Sequence, residues 1–393
     1  MDHSKSAAER LQPSIRGAVA PFIVMDVMTA ARAVEQAGHA VTHMEIGEPG
    51  APAPSTAIAA AQAALAKGRI PYTDALGLPS LRARIARHYS EVYGINIGSE
   101  RVAVTTGSSG GFVLAFLALF DRGAHIAIAA PGYPAYRNIL KALDLILVEI
   151  EVGPATRWAL TAEAIEAAHL EQPLNGVLVM SPANPTGVIT GPAALASIAA
   201  ACKRLGLWLM SDEIYHGLTY ETPARTALEF SDDAIVINSF SKYFCMTGWR
   251  AGWMILPERL ARTVERLQQN LSISVPYLSQ VAAEAAFEAK AELEAVRAGY
   301  ARNREILTRE LPRLGLPDFL PADGAFYIYA DVGHLTNDST EFCRRMLAEA
   351  HVAATPGIDF DLTRGGRYFR LSFAGTESDV LETVRKLEWW LRK

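Results

Sequence analysis

The chain has 393 residues, half of them apolar and a fifth charged, with a formal net charge of −5. That length predicts two or three structural units whose cores need neither disulfide nor structural metal. The mild negative charge, with no basic stripe or Lys/Arg run, excludes nucleic acid and anionic membrane as expected partners.

The opening Met1–Gln12 is polar and has no apolar signal core. The densest apolar run, Phe112–Phe120, is far too short to cross a bilayer. Cys202, Cys245 and Cys343 are scattered and odd in number, which predicts free thiols, no metal array and a reducing, cytoplasmic setting.

Ala20–Ala37 reads as a helix preceding the first strand, and Pro79–Tyr93 as an Ala/Leu-rich helix. Arg101–Thr105 is strand-like and runs into Thr105-Thr106-Gly107-Ser108-Ser109-Gly110-Gly111, ahead of the helix Gly110–Leu119. A glycine-rich turn opening a helix offers free N–H groups and a positive dipole end to a phosphate. It is neither GxGxxG nor a P-loop with its lysine, so dinucleotide and ATP readings lose support. After the strand His125–Ala129, Pro131-Gly132-Tyr133-Pro134-Ala135-Tyr136 holds Tyr133 between prolines, where its ring can stack on a flat group.

Strand-like Leu145–Ile150 and Gly176–Ser181 follow, and the second leads into Ser181-Pro182-Ala183-Asn184-Pro185-Thr186-Gly187. Two prolines and a glycine make a rigid turn that can aim the Asn184 amide inward. Beyond the helix Pro192–Leu205, the strand Trp208–Ser211 ends in Ser211-Asp212-Glu213-Ile214-Tyr215-His216. Asp212 at an apolar strand end is costly to bury without a cationic partner. A protonated ring nitrogen is such a partner, and it would make the ring an electron sink. Tyr215 and Asn184 could both reach a ring oxygen.

The strand Ala234–Ser239 delivers Ser239-Phe240-Ser241-Lys242, with Gly248-Trp249-Arg250-Ala251-Gly252 shortly after it. A strand-end lysine of lowered pKa can form a Schiff base with an aldehyde cofactor. The serine hydroxyls and Arg250 suit a phosphate dianion. After the strand Gly252–Ile255, Ser279–Leu311 reads as one or two long helices. Gly324–Asp331 is strand-like, Thr340–Ala350 helical, Tyr368–Phe373 strand-like and Glu377–Leu391 an amphipathic helix. Arg370, in the strand Tyr368–Phe373, wants a carboxylate, either internal or from a substrate. The pattern predicts an α/β fold: a mostly parallel, seven-stranded sheet sandwiched by helices, plus a smaller α+β unit.

Singly, each motif is an ordinary loop. In this order, with Arg250 eight residues after Lys242 and Arg370-Leu371-Ser372-Phe373 near the end, they resemble the class I and II aminotransferases of the fold-type I pyridoxal-phosphate enzymes. The likeness covers nearly the whole chain, from Ile46-Gly47-Glu48-Pro49 and Pro71-Tyr72-Thr73 onward. It implies pyridoxal 5'-phosphate as cofactor, a large cofactor-binding domain over 46–285 and a small domain from 1–45 and 286–393. It implies Lys242, Asp212 and Tyr215 as catalytic residues. Ser108, Ser109, Ser239 and Arg250 would hold the phosphate, Tyr133 would stack on the ring, and Asn184 and Tyr215 would reach its oxygen. Gly47, Asn184 and Arg370 would bind the substrate α-carboxylate. Tyr72 would reach the neighbouring subunit's phosphate, so the active unit would be a homodimer with shared sites.

The implied reaction passes an amino group from an L-amino acid to a 2-oxo acid by ping-pong chemistry. Pro21-Phe22-Ile23-Val24 and Ser108-Ser109 stand where aspartate-using members carry small hydroxyl residues and a lysine, which points to a neutral or hydrophobic donor. The rivals are an aspartate-type aminotransferase and a β-eliminating C–S lyase on the same scaffold. An effector-sensing domain of a transcription regulator would need an added DNA-binding module, and a plain nucleotide-binding protein lacks its fingerprints.

Overall fold

Residues 13–393 are described by the structure, a computed structural model; Met1–Gln12, and with it the start of the expected small domain, lies outside the described residues. Helix α1 (Ile23–Gln36) runs into the short strand β1 (Thr42–His43), followed by α2 (Ser55–Ala66) and α3 (Pro79–Tyr93). Pro79 opens α3, where a missing N–H costs nothing, and Gly94 (φ +70°) closes it in the left-handed conformation. Strands and helices then alternate as β2 (Val102–Thr105), α4 (Gly107–Leu119), β3 (His125–Ala130), α5 (Pro134–Ala142) and β4 (Ile146–Glu151). The alternation continues through α6 (Ala162–Glu171), β5 (Gly176–Met180), α7 (Pro192–Leu205) and β6 (Trp208–Asp212) to β7 (Ile235–Ser239) and β8 (Gly252–Ile255).

These strands form one seven-stranded sheet in the order β2-β8-β7-β6-β5-β3-β4. All run parallel except β8, which is antiparallel to both β2 and β7. The central strands are buried on both faces, so they read as continuous apolar runs rather than alternating ones. Successive residues still point to opposite sides. Val236 and Trp253 join Leu81, Ile85 and Tyr89 of α3 in one apolar layer, whereas Ile235, Ile237 and Met254 join Phe112 and Phe116 of α4 in the other.

Helices α8 (Glu258–Leu271), α9 (Tyr277–Ala286) and α10 (Lys290–Arg313) follow, so the expected helical stretch from Ser279 is two helices with a break at 287–289. Strand β9 (Tyr327–Asp331), helix α11 (Ser339–Ala350), strands β10 (Val352–Ala353), β11 (Thr355–Pro356) and β12 (Tyr368–Ser372), and helix α12 (Glu377–Leu391) complete the chain. β11, β12 and β9 make an antiparallel three-stranded sheet with its own apolar cluster, including Leu307, Phe326, Met346, Phe369 and Leu387. Thr376 and Asp379 exchange side-chain and backbone hydrogen bonds in a capping box at the start of α12. β1 joins β10 in parallel, tying the N-terminal segment to this second layer.

His43 reinforces that tie. Its Nδ1 lies 2.8 Å from the fully buried Glu45 carboxylate and its Nε2 3.0 Å from Glu35 at the end of α1. A ring facing two carboxylates must donate from both nitrogens, which requires the imidazolium. The hydrogen bond to Glu45, with smaller help from Glu35, raises the His43 pKa to about 9 against the opposing effect of burial. A raised folded-state pKa gives stability that is complete below about pH 6.5 and lost as pH rises through about 9. His43→Gln is therefore expected to lower the Tm at pH 6 and to leave it nearly unchanged at pH 9.5, measured by calorimetry across that range.

Candidate active site

Strands β3, β5, β6 and β7 run parallel and end on one edge of the sheet, the edge where α/β folds bind ligands. Beyond those ends stand Tyr133, Asn184, Asp212 and Lys242. The antiparallel register sets Gly252 beside both Thr105 and Ser239, which brings the turn after β2 to the same edge. The result is a cavity of ≈340 Å³ lined by Gly47, Ser108, Ser109, Tyr133, Asn184, Asp212, Tyr215, Lys242, Arg250 and Arg370. Two expected site residues stand outside this lining. Ser239 is one layer back, its hydroxyl 2.9 Å from that of Ser241, which does face the cavity. Tyr72 is 79% exposed on the outer surface.

At one end of the cavity α4 begins at Gly107, three residues earlier than the apolar pattern suggests, so Ser108 and Ser109 occupy its first turn. Their backbone N–H groups have no partner within the helix. Gly107 (φ +69°) allows a turn that other residues resist, and a Cβ there would fall 2.5 Å from Arg250 Nη2. Arg250 is itself left-handed (φ +51°), and its Nη1 donates to the Thr247 carbonyl at 3.0 Å. A fixed guanidinium, two hydroxyls and a helix N-terminus together suit a phosphate.

In the middle stand a lysine and a carboxylate. Lys242 Nζ donates to the Gly47 carbonyl. Burial, then the nearby positive charge of Arg370, lowers the amine pKa to about 8. Asp212 is 2% exposed; its Oδ1 accepts from the Ile214 N–H at 3.0 Å and its Oδ2 from the Tyr136 hydroxyl. Burial raises its pKa to about 6, opposed first by the Tyr136 hydrogen bond. The adjacent Glu213 turns the other way. Its Oε1 gathers the Ser211 and Thr226 hydroxyls and the Ala227 N–H at 2.9–3.0 Å, so only Asp212 faces the cavity.

At the far end Arg370 is 4% exposed and sandwiched between the rings of Tyr327 and Phe360, 4.3 and 4.8 Å from their centroids. Its Nη1 donates to Asn184 Oδ1 at 2.9 Å and its Nη2 to the Glu45 carbonyl at 2.5 Å. Its Nε has no partner among the described residues although it is buried, a donor in want of an acceptor. Asn184 spends its oxygen on Arg370, leaving its amide N–H groups to donate. The Tyr215 and Tyr327 hydroxyls pair at 2.7 Å, and a Cβ on Gly47 would collide with Tyr327, so only glycine fits at position 47.

A flat, anionic aldehyde such as pyridoxal phosphate matches this set. There is a cradle closed to any Cβ for the phosphate, a buried carboxylate for a ring nitrogen, and an amine of lowered pKa between them. Four residues of the site lay outside the motif-based expectations. Tyr136, which backs Asp212, stood in the Pro131–Tyr136 segment without an expected role: it lies in the first turn of α5 and packs edge-on against Tyr133, 5.3 Å between ring centroids. Glu48 stood in the Ile46–Pro49 segment without a role of its own, while Tyr327 and Asp359 carry no local signal, since each reaches the cavity only through the tertiary fold.

A family model described as aminotransferase class I and II matches residues 41–387. The chain is 48% identical over 382 residues to a valine–pyruvate aminotransferase of Mycobacterium tuberculosis, covering 96% of this chain and 98% of that one. It is 31% identical over 406 residues to an aspartate aminotransferase of Streptomyces avermitilis, covering 99% and 98%. The fold superposes on the crystal structure of an aminotransferase from Mycobacterium tuberculosis with a TM-score of 0.95 at 48% identity, covering 97% and 99%. The chain belongs to the class I and II aminotransferases, enzymes that use pyridoxal phosphate to move an amino group between an amino acid and a 2-oxo acid.

Proposed function

We propose that the preferred amino donor is a neutral or hydrophobic L-amino acid, and that Lys242, Asp212 and Tyr215 act on it in sites shared between two subunits. The observation that carries the donor class is the wall beside Arg370. Phe22, with Val24, Met25 and Met28 of α1 and Ile46, lines the cavity there and offers apolar surface. A branched or aromatic side chain gains by leaving water for such a surface, whereas a carboxylate loses hydration without a partner. The similarity to a valine–pyruvate aminotransferase supports the same class.

The residues divide the work by position. Arg250, Ser108 and Ser109 hold the phosphate with Ser239 behind them, Tyr133 stacks on the ring, and Asn184 and Tyr215 donate to its oxygen. When bound, pyridoxal phosphate supplies an aldehyde carbon for the amino group and a ring that accepts the electrons released at Cα. Asp212 keeps the ring nitrogen protonated. Arg370 binds the donor's α-carboxylate through its free Nε–H and its fork, with Asn184 and the Gly47 segment beside it. That fixes the donor so that Lys242 Nζ can take and return a proton at Cα.

The same reading divides the chain into a cofactor-binding domain over 46–285 and a small domain from 1–45 and 286–393. It also makes the active unit a homodimer in a cytoplasmic setting. Exposed Ile70, Tyr72, Leu271 and Ile273 support the dimer. The Thr73 N–H meets Ser274 Oγ at 3.4 Å, which keeps these two apolar segments side by side on one surface.

Steady-state kinetics test the donor class. Valine, leucine, phenylalanine or alanine should exceed aspartate in kcat/KM by tenfold or more; a reversed order rejects it. The lowered amine pKa predicts how the apoprotein takes up the cofactor. The rate of capture, followed by the visible absorbance, should rise with pH around a midpoint near 8, since only the neutral amine reacts. Arg370→Met should move that midpoint upward, and Lys242→Ala should abolish the band. Shared sites predict complementation. Subunits carrying Lys242→Ala mixed with subunits carrying Tyr72→Ala should regain activity, because each hybrid dimer rebuilds one intact site.

A further inference from the structure

Asp359 belongs to no motif and to no step described so far. It ends the short turn Gly357–Asp359 that follows β11, is 3% exposed, and lines the cavity next to Phe360 and Arg370. Its carboxylate faces the backbone N–H groups of Ile23 and Val24 in the first turn of α1. Phe22, at the N-cap of α1, provides no side-chain cap of its own. Asp359 thus sets a carboxylate near the N-terminal end of the helix that forms the apolar wall. Arg137 approaches from behind, but its Nη2 donates to the Asp359 main-chain carbonyl at 2.8 Å and its Nη1 lies 3.7 Å from Glu149. Burial raises the Asp359 pKa, and Arg370 is the first of the influences opposing it.

The charges around the cavity then separate by position. The cations lining it are Lys242, Arg250 and Arg370, and the anions are Glu48, Asp212 and Asp359. On the functional reading above, Arg250 meets the phosphate, Arg370 the α-carboxylate, Asp212 the ring nitrogen, and Lys242 the cofactor. Glu48 accepts from the Thr247 hydroxyl beside Arg250. Asp359 is left at the apolar wall, and each cation lining the cavity already has another partner. A donor bearing a second carboxylate would bring that charge toward the buried Asp359 carboxylate at an apolar wall. Such a juxtaposition repels like charge far more strongly than it would in water.

We propose that Asp359 is a specificity-determining residue: its carboxylate, buried in the cavity lining beside the first turn of α1, turns away dicarboxylic amino acids and 2-oxo acids. This rests on the proposal that neutral donors are preferred, but it is tested by a change in discrimination rather than by the preference itself. Asp359→Asn removes the charge and keeps an oxygen that can accept from Ile23 and Val24; Asp359→Ala removes both. In holoenzyme carrying Asp359→Asn, the ratio of kcat/KM for valine to that for aspartate should shrink on the order of tenfold, through a gain for aspartate. Calorimetric titration gives a reading independent of turnover. The Kd of succinate should fall by a similar factor, while that of 3-methylbutanoate should change little. Asp359→Ala should weaken 3-methylbutanoate as well, because the wall loses a buried side chain and the polar group near the start of α1. An aspartate discrimination ratio and a succinate Kd both unchanged within twofold in Asp359→Asn would overturn the proposal. A wild-type preference for aspartate would instead overturn the donor class, and the change of the ratio in Asp359→Asn would still decide the role of Asp359.

Discussion

The cleft depends on holding ionisable groups away from bulk water without pairing them fully to one another. Asp212 is buried with a neutral phenol and a backbone N–H as its partners, so its charge lacks a bonded cation. Arg370 is buried with carbonyls, an amide and two aromatic faces around it, and its Nε has no acceptor among the described residues. Lys242 lines the same cavity, its amine pushed down toward neutrality by burial and by Arg370. Complete internal ion pairs would have stabilised each group and silenced it. Left part-satisfied, they suit the proposed partners: a ring cation, a carboxylate and an aldehyde.

Such incompleteness is tolerable only on a rigid support. The parallel strands supply it, because β3, β5, β6 and β7 are buried on both faces and end at one level. Asp212 is the last residue of its strand, and Lys242 lies three residues beyond the end of β7. The glycines act at the same edge. Gly252 has no room for a Cβ, which would lie 2.8 Å from the Gly107 carbonyl carbon, so β8 can press the turn after β2 against Arg250. The phosphate cradle therefore exists because two strands approach closely, not because one loop has a favoured shape.

Much of this was legible in the sequence, for a physical reason. Asp212 ends a buried apolar strand and Lys242, Asn184 and Tyr133 stand within four residues of the end of one, and a polar residue at such a position is conspicuous. The helices α3 and α7 were readable to the residue, since Pro79 and Pro192 open them and Gly94 and Gly206 close them. The start of α4 was less so, because Gly107, Ser108 and Ser109 look like turn and are recruited into the helix by the Arg250 side of the sheet. Tyr327 and Asp359 were invisible. Tyr327 enters from β9, and Asp359 enters after β11 by packing against α1, more than 300 residues away along the chain. No local pattern encodes those approaches.

That division between legible and hidden residues follows the division of labour in the cavity. The cofactor side is made by strand ends of a single sheet, where any shift of one residue disturbs the others. The proposed donor side is made by α1, the Ile46–Glu48 segment and the turn at Gly357–Asp359, three pieces from distant parts of the chain. Substitutions there can change the shape and charge met by the donor's side chain without moving Lys242 or Asp212. A family that keeps one chemistry while accepting valine in one member and aspartate in another needs this separation. On the proposed reading, the donor side of this chain sets the Asp359 carboxylate beside apolar residues, a pairing that would gain little from a charged side chain and most from one that displaces water.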